Sequence, residues 1–516
     1  MTKNIILANR YYDSVVLMNA AEKIKAEIGA SQVSLMMGTD ANKDIMRATN
    51  LLTPDGEKAE PGDLIIAVVA NDDSGINKIP DMLEEMLAPK QDGEIEKFTP
   101  RSIEGAMDIL KGANLALFSI PGEYVDYEGE KALDKGLHLM LFSDNVSLET
   151  EIKLKKKGEE KGLLVMGPDC GTSIINGKAI AFANVIRKGD IGIVAAAGTG
   201  IQEVATLIHK MGCGITHAIG TGGRDLSREV GGITMRMGIK ALMEDPATKI
   251  LVLISKPPHP DVEKAIYETL EGINKTVIIN FLGSDGKEAV ARGFGFAPTL
   301  EEAAIKAVEA SGGHPVLPEP ENLDAVMESE LSKLASSQKD LRGLYSGGTL
   351  CGEADLIFEK AGLSVLSNVT KKAERKLKDV FHSKGHCLVD MGDDIFTKGA
   401  PHPMIDNTKR IYRIAQEAED AETAILLLDV VLGYGSNPDP AGEIAPAVKK
   451  AKETASGAGR HLICVASVCG VEEDPQHAPT QIAKLKDAGI IVLPSNAMAA
   501  RFTMKMLEKI GSKAAV

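Results

Sequence analysis

The sequence predicts an α/β protein of three doubly wound domains. The chain has 516 residues, and roughly 150 residues per domain gives about three domains. Its dominant pattern is a short run rich in Val, Ile or Leu, then a glycine-containing turn, then a longer stretch with helical spacing. Strands that helices cover on both faces read as continuous apolar runs. The alternation of such runs with helices along the chain is typical of doubly wound folds.

Apolar runs of this kind identify the predicted strands. They lie at 63–70, 114–120, 138–143, 162–166, 192–196, 249–254, 276–281, 343–345, 424–431, 461–467 and 489–493. Helical spacing follows in segments such as 202–211 and 408–417. We therefore expect parallel strands joined by helices.

Two polar segments mark the predicted domain boundaries. A turn at 187–190 stands just ahead of a fresh strand, and residues 311–339 begin with Gly and Pro and then become charged and Ser-rich. This composition is typical of linkers. We predict a Rossmann-like domain at 1–187, flavodoxin-like domains at 188–312 and 341–516, and a linker at 313–340.

The second and third predicted domains look like distant copies of each other. In the second domain Gly198 and Thr199 are followed by Glu203, and in the third Gly348 and Thr349 are followed at the same spacing by Glu353. The echo is short, but the same order of strand, turn and helix surrounds both copies. We therefore expect duplicated α/β domains.

Composition and charge exclude several classes of protein. The formal net charge is −15, which is the wrong sign for binding nucleic-acid phosphates or anionic membrane surfaces. No apolar run approaches the ~18 residues of a membrane span, and the first residues lack the apolar core of a signal peptide. Six cysteines without a Cys-x-x-Cys pair are typical of a reduced protein. We expect a cytoplasmic protein that binds neither nucleic acid nor membrane.

Glycine-rich turns after predicted strands are the candidate phosphate sites. The turns at 196–200 and 345–349 each stand between a strand and a helix, where backbone N–H groups and the helix dipole can hold a phosphate. Neither is a Walker A loop, and glycines that only make tight turns are the alternative. The loop at 220–225 adds Arg224, whose guanidinium suits an oxyanion. The candidate phosphate-binding residues are Gly198, Thr199, Gly200, Gly222, Gly223, Gly347, Gly348, Thr349, Gly433, Gly435 and Ser436.

Residues 390–406 carry the candidate proton-transfer and metal groups. His402 stands between two prolines, after Asp393 and Asp394 in the sequence. A histidine fixed near aspartates could act as an acid–base group, or the aspartates could hold Mg²⁺ through water. A surface turn and a capped helix are the alternatives. We predict Arg224, His402 and Asp393 as catalytic residues, with Asp393 and Asp394 as the Mg²⁺ ligands if a metal is used.

These motifs resemble those of the succinyl-CoA synthetases. The segments at 166–171, 197–200 and 220–225 resemble the α subunit of that enzyme, and the chain from about residue 340 onward resembles the C-terminal domain of its β subunit. Over its whole length the chain is identified as a member of the FdrA family, on the residues at 140–146, 222–227 and 401–406. The resemblance implies a first domain of the CoA-binding type followed by two domains of the succinyl-CoA-synthetase type.

The sequence departs from the synthetase pattern at three places. The synthetases hold the CoA diphosphate on a glycine-rich loop after the first strand, whereas residues 9–14 of this chain contain no glycine. They relay phosphate through a histidine of the α subunit, whereas residues 281–296 contain none. No segment resembles their nucleotide-grasping domain. The two phosphate loops, which in the synthetases clasp the phosphoryl group between two helix N-termini, are retained.

The resemblance implies an enzyme that transfers a carbamoyl group. FdrA proteins are similar to one component of oxamate carbamoyltransferase, a multi-subunit enzyme of allantoin breakdown that interconverts carbamoyl phosphate and oxamate with phosphate and oxalurate. We therefore expect a carbamoyltransferase subunit that binds a small phosphorylated substrate, works with separately encoded partner subunits and forms a homo-oligomer. The sequence itself requires no cofactor.

Two alternatives stay open. An NDP-forming acyl-CoA synthetase would need CoA, a nucleotide and a phosphoryl carrier other than the missing histidine. A non-catalytic scaffold subunit of the same complex would leave the chemistry on a partner chain.

Overall fold

The computed structural model describes residues 2–8, 10, 14–30, 32–39, 42–43, 46–47, 51–70, 75–87, 100–318, 320–397 and 400–514. Two compact units divide the chain. One comprises Met1–Thr99 with Lys398–Ala400, and the other comprises Pro100–Thr397 with Pro401–Val516. No helix among the described residues combines the length and the apolar character needed to cross a membrane.

The first unit contains a three-stranded antiparallel sheet in the order β1-β3-β2. Its elements are β1 (Thr2–Leu7), α1 (Ser14–Ile28), β2 (Gln32–Met37), a 3₁₀ turn (Gly56–Lys58), β3 (Leu64–Val69), a second 3₁₀ turn (Ile76–Lys78) and α2 (Ile79–Leu87). The central strand β3 is buried on both faces. Ile66 packs in one apolar cluster with Leu17 and Ile24, and Ile65 packs in another with Leu51.

This sheet corrects the expectation of a parallel Rossmann-like sheet in the first part of the chain. The predicted strand at 63–70 is present, but it pairs antiparallel with both neighbours. A run that is apolar at every position reports burial on two faces and carries no information on strand direction. The sequence pattern therefore identified the strand and misassigned its partners.

The second unit begins with a small parallel sheet in the order β4-β5-β6. Its elements are α3 (Ile103–Ile109), β4 (Leu115–Phe118), α4 (Gly122–Asp134), β5 (His138–Leu141), α5 (Leu148–Lys161) and β6 (Val165–Met166). The hairpin that follows, β7 (Thr172–Ile175) and β8 (Lys178–Ala181), hydrogen-bonds to the next sheet instead. The described residues of the segment 1–187 therefore contribute to three different sheets.

A seven-stranded sheet follows in the order β13-β12-β11-β9-β10-β7-β8. Its remaining elements are β9 (Lys188–Ala195), α6 (Gly198–Lys210), β10 (Ile215–Gly220), α7 (Ile233–Glu244), β11 (Ile250–Ser255), α8 (Pro260–Thr269), β12 (Thr276–Phe281), α9 (Lys287–Ala291), β13 (Gly295–Phe296) and α10 (Leu300–Ala310). Strands β9 to β13 are parallel, and the β7–β8 hairpin adds an antiparallel edge. Helix α11 (Leu323–Ser332) lies within the predicted linker.

The last sheet has six parallel strands in the order β15-β16-β14-β17-β18-β19. Its elements are β14 (Asp340–Tyr345), α12 (Gly348–Lys360), β15 (Leu366–Ser367), a 3₁₀ turn (Ala373–Arg375), β16 (Cys387–Asp390), α13 (Asp394–Thr397), α14 (Thr408–Glu419), β17 (Thr423–Val431), α15 (Pro440–Gly457), β18 (Ile463–Cys469), α16 (Ala478–Asp487), β19 (Ile491–Leu493) and α17 (Asn496–Ala514). One apolar core joins this sheet to the seven-stranded sheet through residues such as Ile208, Phe358 and Phe502. The helix starts that follow β9 and β14, at the carboxyl ends of the two sheets, also contact each other.

The two glutamates of the repeated Gly-Thr…Glu motif have the same structural role in the two domains. Oε1 of Glu203 on α6 accepts, at 2.9 Å, the N–H of Asn496, the residue that begins α17. Oε1 of Glu353 on α12 accepts the N–H of Leu300, which begins α10, at 2.6 Å. Each domain therefore caps the last helix of the other domain. Burial, with smaller contributions from the carboxylates of Glu203 and Glu301, raises the pKa of Glu353 to about 8.

Replacing Glu353 by glutamine should change how stability depends on pH. The folded state keeps the Glu353 proton up to about pH 8, whereas an unfolded glutamate releases it near 4.5. Stability therefore falls as the pH rises through that window. Urea unfolding at pH 5.5 and 8.5 should show Glu353→Gln gaining at least about 1 kcal/mol relative to wild type at the higher pH. The exposed Glu453→Gln serves as the control, and an equal pH dependence of Glu353→Gln and wild type would contradict the assignment.

Candidate functional site

The N-termini of helices α6 and α12 lie against each other. A Cβ placed on Gly200 of α6 would lie 3.3 Å from Cγ2 of Thr349, and one placed on Gly347 would lie 3.0 Å from Cγ2 of Thr199. Each threonine methyl thus packs on a glycine at the start of the opposite helix. Both threonines are buried. The two predicted glycine turns therefore form a single site.

The first turns of both helices offer free backbone donors. Neither helix has a side-chain N-cap. The backbone N–H groups of these two turns have no hydrogen-bond partner among the described residues; they are those of Gly198, Thr199, Gly200, Gly348, Thr349 and Leu350. Unsatisfied N–H groups and the positive ends of two helix dipoles are a favourable setting for an anion.

The loop ahead of α12 is fixed by a buried carboxylate. Asp429, at β17, accepts the N–H of Ser346 at 2.8 Å and the N–H of Gly347 at 2.7 Å. Arg410 of α14 donates from Nη2 to Oδ1 of Asp429 at 2.7 Å and also bonds the carbonyl of Leu344. The N–H of Gly347, which we predicted to hold phosphate, is therefore occupied. Gly347 instead allows the close approach of Thr199.

Asp390 and His402 lie beside the start of α12. A Cβ on Gly348 would collide with Oδ2 of Asp390. A Cβ on Gly392 would lie 2.6 Å from Nε2 of His402 and 3.1 Å from Oδ1 of Asp390, so the two side chains converge on the same glycine. The carboxylate neighbour of His402 at the helix terminus is therefore Asp390, at the end of β16.

Burial sets the protonation of both groups. It raises the pKa of Asp390 to about 7, although the N–H of Gly392 and the charge of Lys256 oppose the shift. It lowers the pKa of His402 to about 4, so the ring is neutral at pH 7. Nδ1 of His402 accepts the N–H of Met404 at 3.2 Å, which leaves the proton on Nε2. His402 is therefore a hydrogen-bond donor at neutral pH.

The predicted pair Asp393 and Asp394 is arranged as a helix start. Oδ1 of Asp393 accepts the N–H of Ile395 at 3.1 Å, and its carbonyl accepts the N–H of Phe396. Asp394 is exposed. Among the described residues, no group of three or more His, Cys, Asp or Glu side chains is placed to hold a metal ion. The capped helix that we weighed as an alternative is what these residues form.

Arg224 is anchored by two groups of the segment that carries the small parallel sheet. Nε donates to Oε2 of buried Glu151 at 2.9 Å, and Nη2 donates to the carbonyl of Val146 at 2.8 Å. Its side chain is still 48% exposed. Gly222 permits a close approach, because a Cβ there would lie 2.5 Å from the carbonyl of Pro168. Gly223 has no atom within 4 Å of a Cβ position and faces open space.

The loop containing Gly433, Gly435 and Ser436 packs on the connection after β8. A Cβ on Gly433 would lie 2.6 Å from the carbonyl of Ala183, and one on Gly435 would lie 3.0 Å from Phe182. The ring of Phe182 in turn lies 6.0 Å from that of His402. The hydroxyl of Ser436 is buried and has no hydrogen-bond partner among the residues that the structure describes. This loop therefore closes the side of the site near His402.

The sequence reasoning missed Asp429, and within the stretch 390–406 it singled out Asp393 and Asp394 where the structure places Asp390 at the helix start. Asp390 and Asp429 both stand at or near the carboxyl ends of strands, and both are buried. That signal, a carboxylate at the end of an apolar strand, could have found them, because ligands bind at this edge of α/β sheets. The glycine-free loop at 9–14, which we set against a CoA site, falls mainly outside the described residues.

Three segments of the chain match known protein families. Residues 186–283 match the CoA binding domain family and residues 344–506 the CoA-ligase family. Residues 1–100 match a family described as AllF, heavy metal-associated domain. The uncharacterised protein YahF of Escherichia coli (strain K12) is 41% identical over 501 residues, covering 96% of each chain. The chain belongs to the FdrA family. This confirms the family and the α/β fold class predicted from the sequence, within the succinyl-CoA synthetase superfamily.

Other relatives of this FdrA chain include subunits of CoA ligases. The α subunit 2 of the ADP-forming succinate–CoA ligase of Archaeoglobus fulgidus is 26% identical over 209 residues, 39% of this chain and 71% of that one. Among solved structures, a dinucleotide-forming acetyl-coenzyme A synthetase 1 from Ca. Korarchaeum cryptofilum is 15% identical, with a TM-score of 0.34 and coverage of 80% and 87% of the two chains.

The FdrA domain at residues 1–100 lacks the thiolate and imidazole ligands of a heavy-metal site. Those residues include neither cysteine nor histidine. Soft metals prefer thiolate and imidazole ligands.

Proposed function

We propose that this chain binds carbamoyl phosphate between the N-termini of α6 and α12 and transfers its carbamoyl group, as a subunit of an oxamate carbamoyltransferase-type complex. The observation that carries the proposal is the reciprocal packing of Thr199 and Thr349 on the opposing helix starts. It sets side by side two helix starts whose backbone N–H groups have no hydrogen-bond partner among the described residues. A phosphoryl group there is held without a phosphohistidine.

The chemistry needs a stabilised leaving group. In the direction of oxalurate formation, the amide nitrogen of oxamate bonds to the carbamoyl carbon, the bond from that carbon to the phosphate oxygen breaks, and phosphate leaves. Negative charge builds on the departing oxygen, and fixed backbone donors lower its energy. Removing one such donor typically costs about 10²–10³-fold in rate. The donors at both helix starts suit this task.

The remaining residues of the proposed site act around that phosphate. Arg224, held by Glu151, would orient an oxyanion of the substrate. The neutral His402 would donate from Nε2 to a carbonyl oxygen. The loop with Gly433 and Ser436 would close the other side.

The acyl-CoA ligase function is the second candidate, because the matched families and the succinate–CoA ligase relatives favour it. It would require CoA, nucleotide and a phosphoryl carrier. The third candidate is a scaffold subunit that leaves catalysis to a partner chain.

Ligand-induced stabilisation separates the three candidates. Thermal unfolding of the purified chain should be measured with carbamoyl phosphate, phosphate and CoA in parallel. A ligand of the native state present at 100 times its Kd adds about 2.7 kcal/mol. We expect carbamoyl phosphate to stabilise the chain more than phosphate does, and CoA to have no effect.

Each other outcome contradicts the proposal. Stabilisation by CoA would favour the acyl-CoA ligase function over carbamoyl transfer. No stabilisation by carbamoyl phosphate at millimolar concentration would favour the scaffold. Equal stabilisation by phosphate and carbamoyl phosphate would mean that the carbamoyl group is not recognised on this chain.

A further inference from the structure

We propose that Asp390 is a catalytic residue that carries the proton of the transfer reaction, from the attacking amide nitrogen to the departing phosphate. The inference rests on the proposed function above. It assigns a residue that neither the glycine motifs nor the family matches single out. Three features of the site carry it: the position of Asp390, its free oxygen and its neighbours.

The first feature is the position of the carboxyl group. Oδ2 of Asp390 lies against Gly348, the first residue of α12, and Gly348 supplies one of the free N–H donors of the proposed phosphate site. The backbone of Asp390 is fixed on both sides by Asn368, which donates from Nδ2 to its carbonyl at 2.9 Å and accepts its N–H at 2.8 Å. A phosphate held at the start of α12 would therefore contact this carboxyl group.

The second feature is that the two carboxyl oxygens differ in their hydrogen bonds. Oδ1 accepts the N–H of Gly392 at 2.9 Å, which orients the group. No hydrogen bond to Oδ2 is found among the described residues. Oδ2 is thus the oxygen available to take up and release a proton.

The third feature is the set of charged and titratable groups around Asp390. Lys256, after β11, favours the ionised form, while Asp393 and Asp429 favour the protonated form. The charge of Asp390 also contributes to the raised pKa of the Cys351 thiol on α12. Nε2 of His402 and Oδ1 of Asp390 both lie beside Gly392. With burial, these groups bring the pKa of Asp390 to about 7. A group that titrates near the working pH is well suited to both accepting and returning a proton.

The proposed step balances without any additional reactant. The N–H proton of the oxamate amide moves to Oδ2 of Asp390 as the nitrogen–carbon bond forms and the carbon–oxygen bond to phosphate breaks. Asp390 then passes that proton to an oxygen of the departing phosphate, which leaves as hydrogen phosphate. Asp390 returns to its ionised form, and no electron transfer takes place.

The test compares Asp390→Asn with wild type in the assembled complex, with the exposed Asp487→Asn as a control for the loss of one carboxylate. Oxalurate formation is measured from pH 5.5 to 8.5, and carbamoyl phosphate binding by calorimetry. We expect Asp390→Asn to bind carbamoyl phosphate with a Kd within about threefold of wild type. Its turnover should fall by roughly 10²–10⁴-fold. The wild-type rise in rate with pH near 7 should be absent from this variant.

A second variant separates proton transfer from a structural role. In Asp390→Ala the carboxyl group is removed and leaves a space. If the reaction needs a carboxylate at that position, added formate should raise the turnover of Asp390→Ala at least about tenfold. Turnover of Asp390→Asn within threefold of wild type, an unchanged pH profile, or no rescue of Asp390→Ala by formate would overturn the role of Asp390. Failure of the wild-type chain to bind carbamoyl phosphate would instead overturn the proposed function and this inference with it.

Discussion

Replacement of Asp429 by alanine is expected to destabilise the chain by about 3–5 kcal/mol, the usual cost of leaving one partner of a buried ion pair alone. Asp429 and Arg410 are both buried, and the 2.7 Å bond from Nη2 of Arg410 to Oδ1 of Asp429 joins them. The change would also leave the N–H groups of Ser346 and Gly347 without their acceptor. Urea unfolding followed by circular dichroism measures the loss.

The matched comparison is the double variant Asp429→Ala with Arg410→Met. Removing both charges avoids an unpaired buried guanidinium, so the double variant should be more stable than Asp429→Ala alone by at least about 1 kcal/mol. A loss below about 1 kcal/mol in the single variant would contradict the role given to Asp429 in holding the start of α12. Equal stability of the single and double variants would show that the Arg410 charge is tolerated without its partner.

Replacement of Gly200 by valine is expected to weaken carbamoyl phosphate binding by at least about tenfold, because losing a hydrogen bond to a charged group costs about 1.5–3 kcal/mol. A Cβ on Gly200 would already lie 3.0 Å from Cβ of Ala197 and 3.3 Å from Cγ2 of Thr349. The two further methyl groups of valine cannot fit there, so α6 and α12 must move apart. Calorimetric titration with carbamoyl phosphate measures the change in Kd.

Gly352→Ala on α12 is the matched control for Gly200→Val. A Cβ at Gly352 meets no atom within 4 Å, and alanine in a helix is favoured over glycine by about 0.5–1 kcal/mol. This variant should therefore keep wild-type affinity and melt slightly higher. Because Gly200→Val also perturbs packing, its melting curve must first show a folded protein. Wild-type affinity in a folded Gly200→Val chain would contradict a site between the two helices.

The sheets of the second unit could be predicted because most of their strands are apolar runs that alternate with helices, which is typical of parallel strands covered on both faces. The runs at 249–254 and 276–281 are apolar throughout and alternate with helices, and both became parallel strands. The strand at 63–70 has the same pattern for a different reason, since a helix cluster covers one face and residues such as Leu51 cover the other. Burial was readable from the sequence. Strand direction depends on long-range pairing, which local pattern does not encode.

The glycine turns of the site were predictable because glycine is required where two backbones approach closely. Gly200 and Gly347 meet that requirement at the crossing of α6 and α12. The groups that complete the site were harder to find. Asp390 and Asp429 become neighbours of the turns only when strands β14, β16 and β17 lie side by side, and their sequence separation hides that contact.

The most direct test of the two-helix phosphate site is a crystal structure of the chain with phosphonoacetamide, a stable analogue of carbamoyl phosphate in which a methylene group replaces the bridging oxygen. The account predicts phosphonate oxygens within about 2.7–3.2 Å of backbone nitrogens from both helix starts, Gly198–Gly200 on α6 and Gly348–Leu350 on α12. A phosphonate bound elsewhere, or touching only one of the two helices, would contradict it.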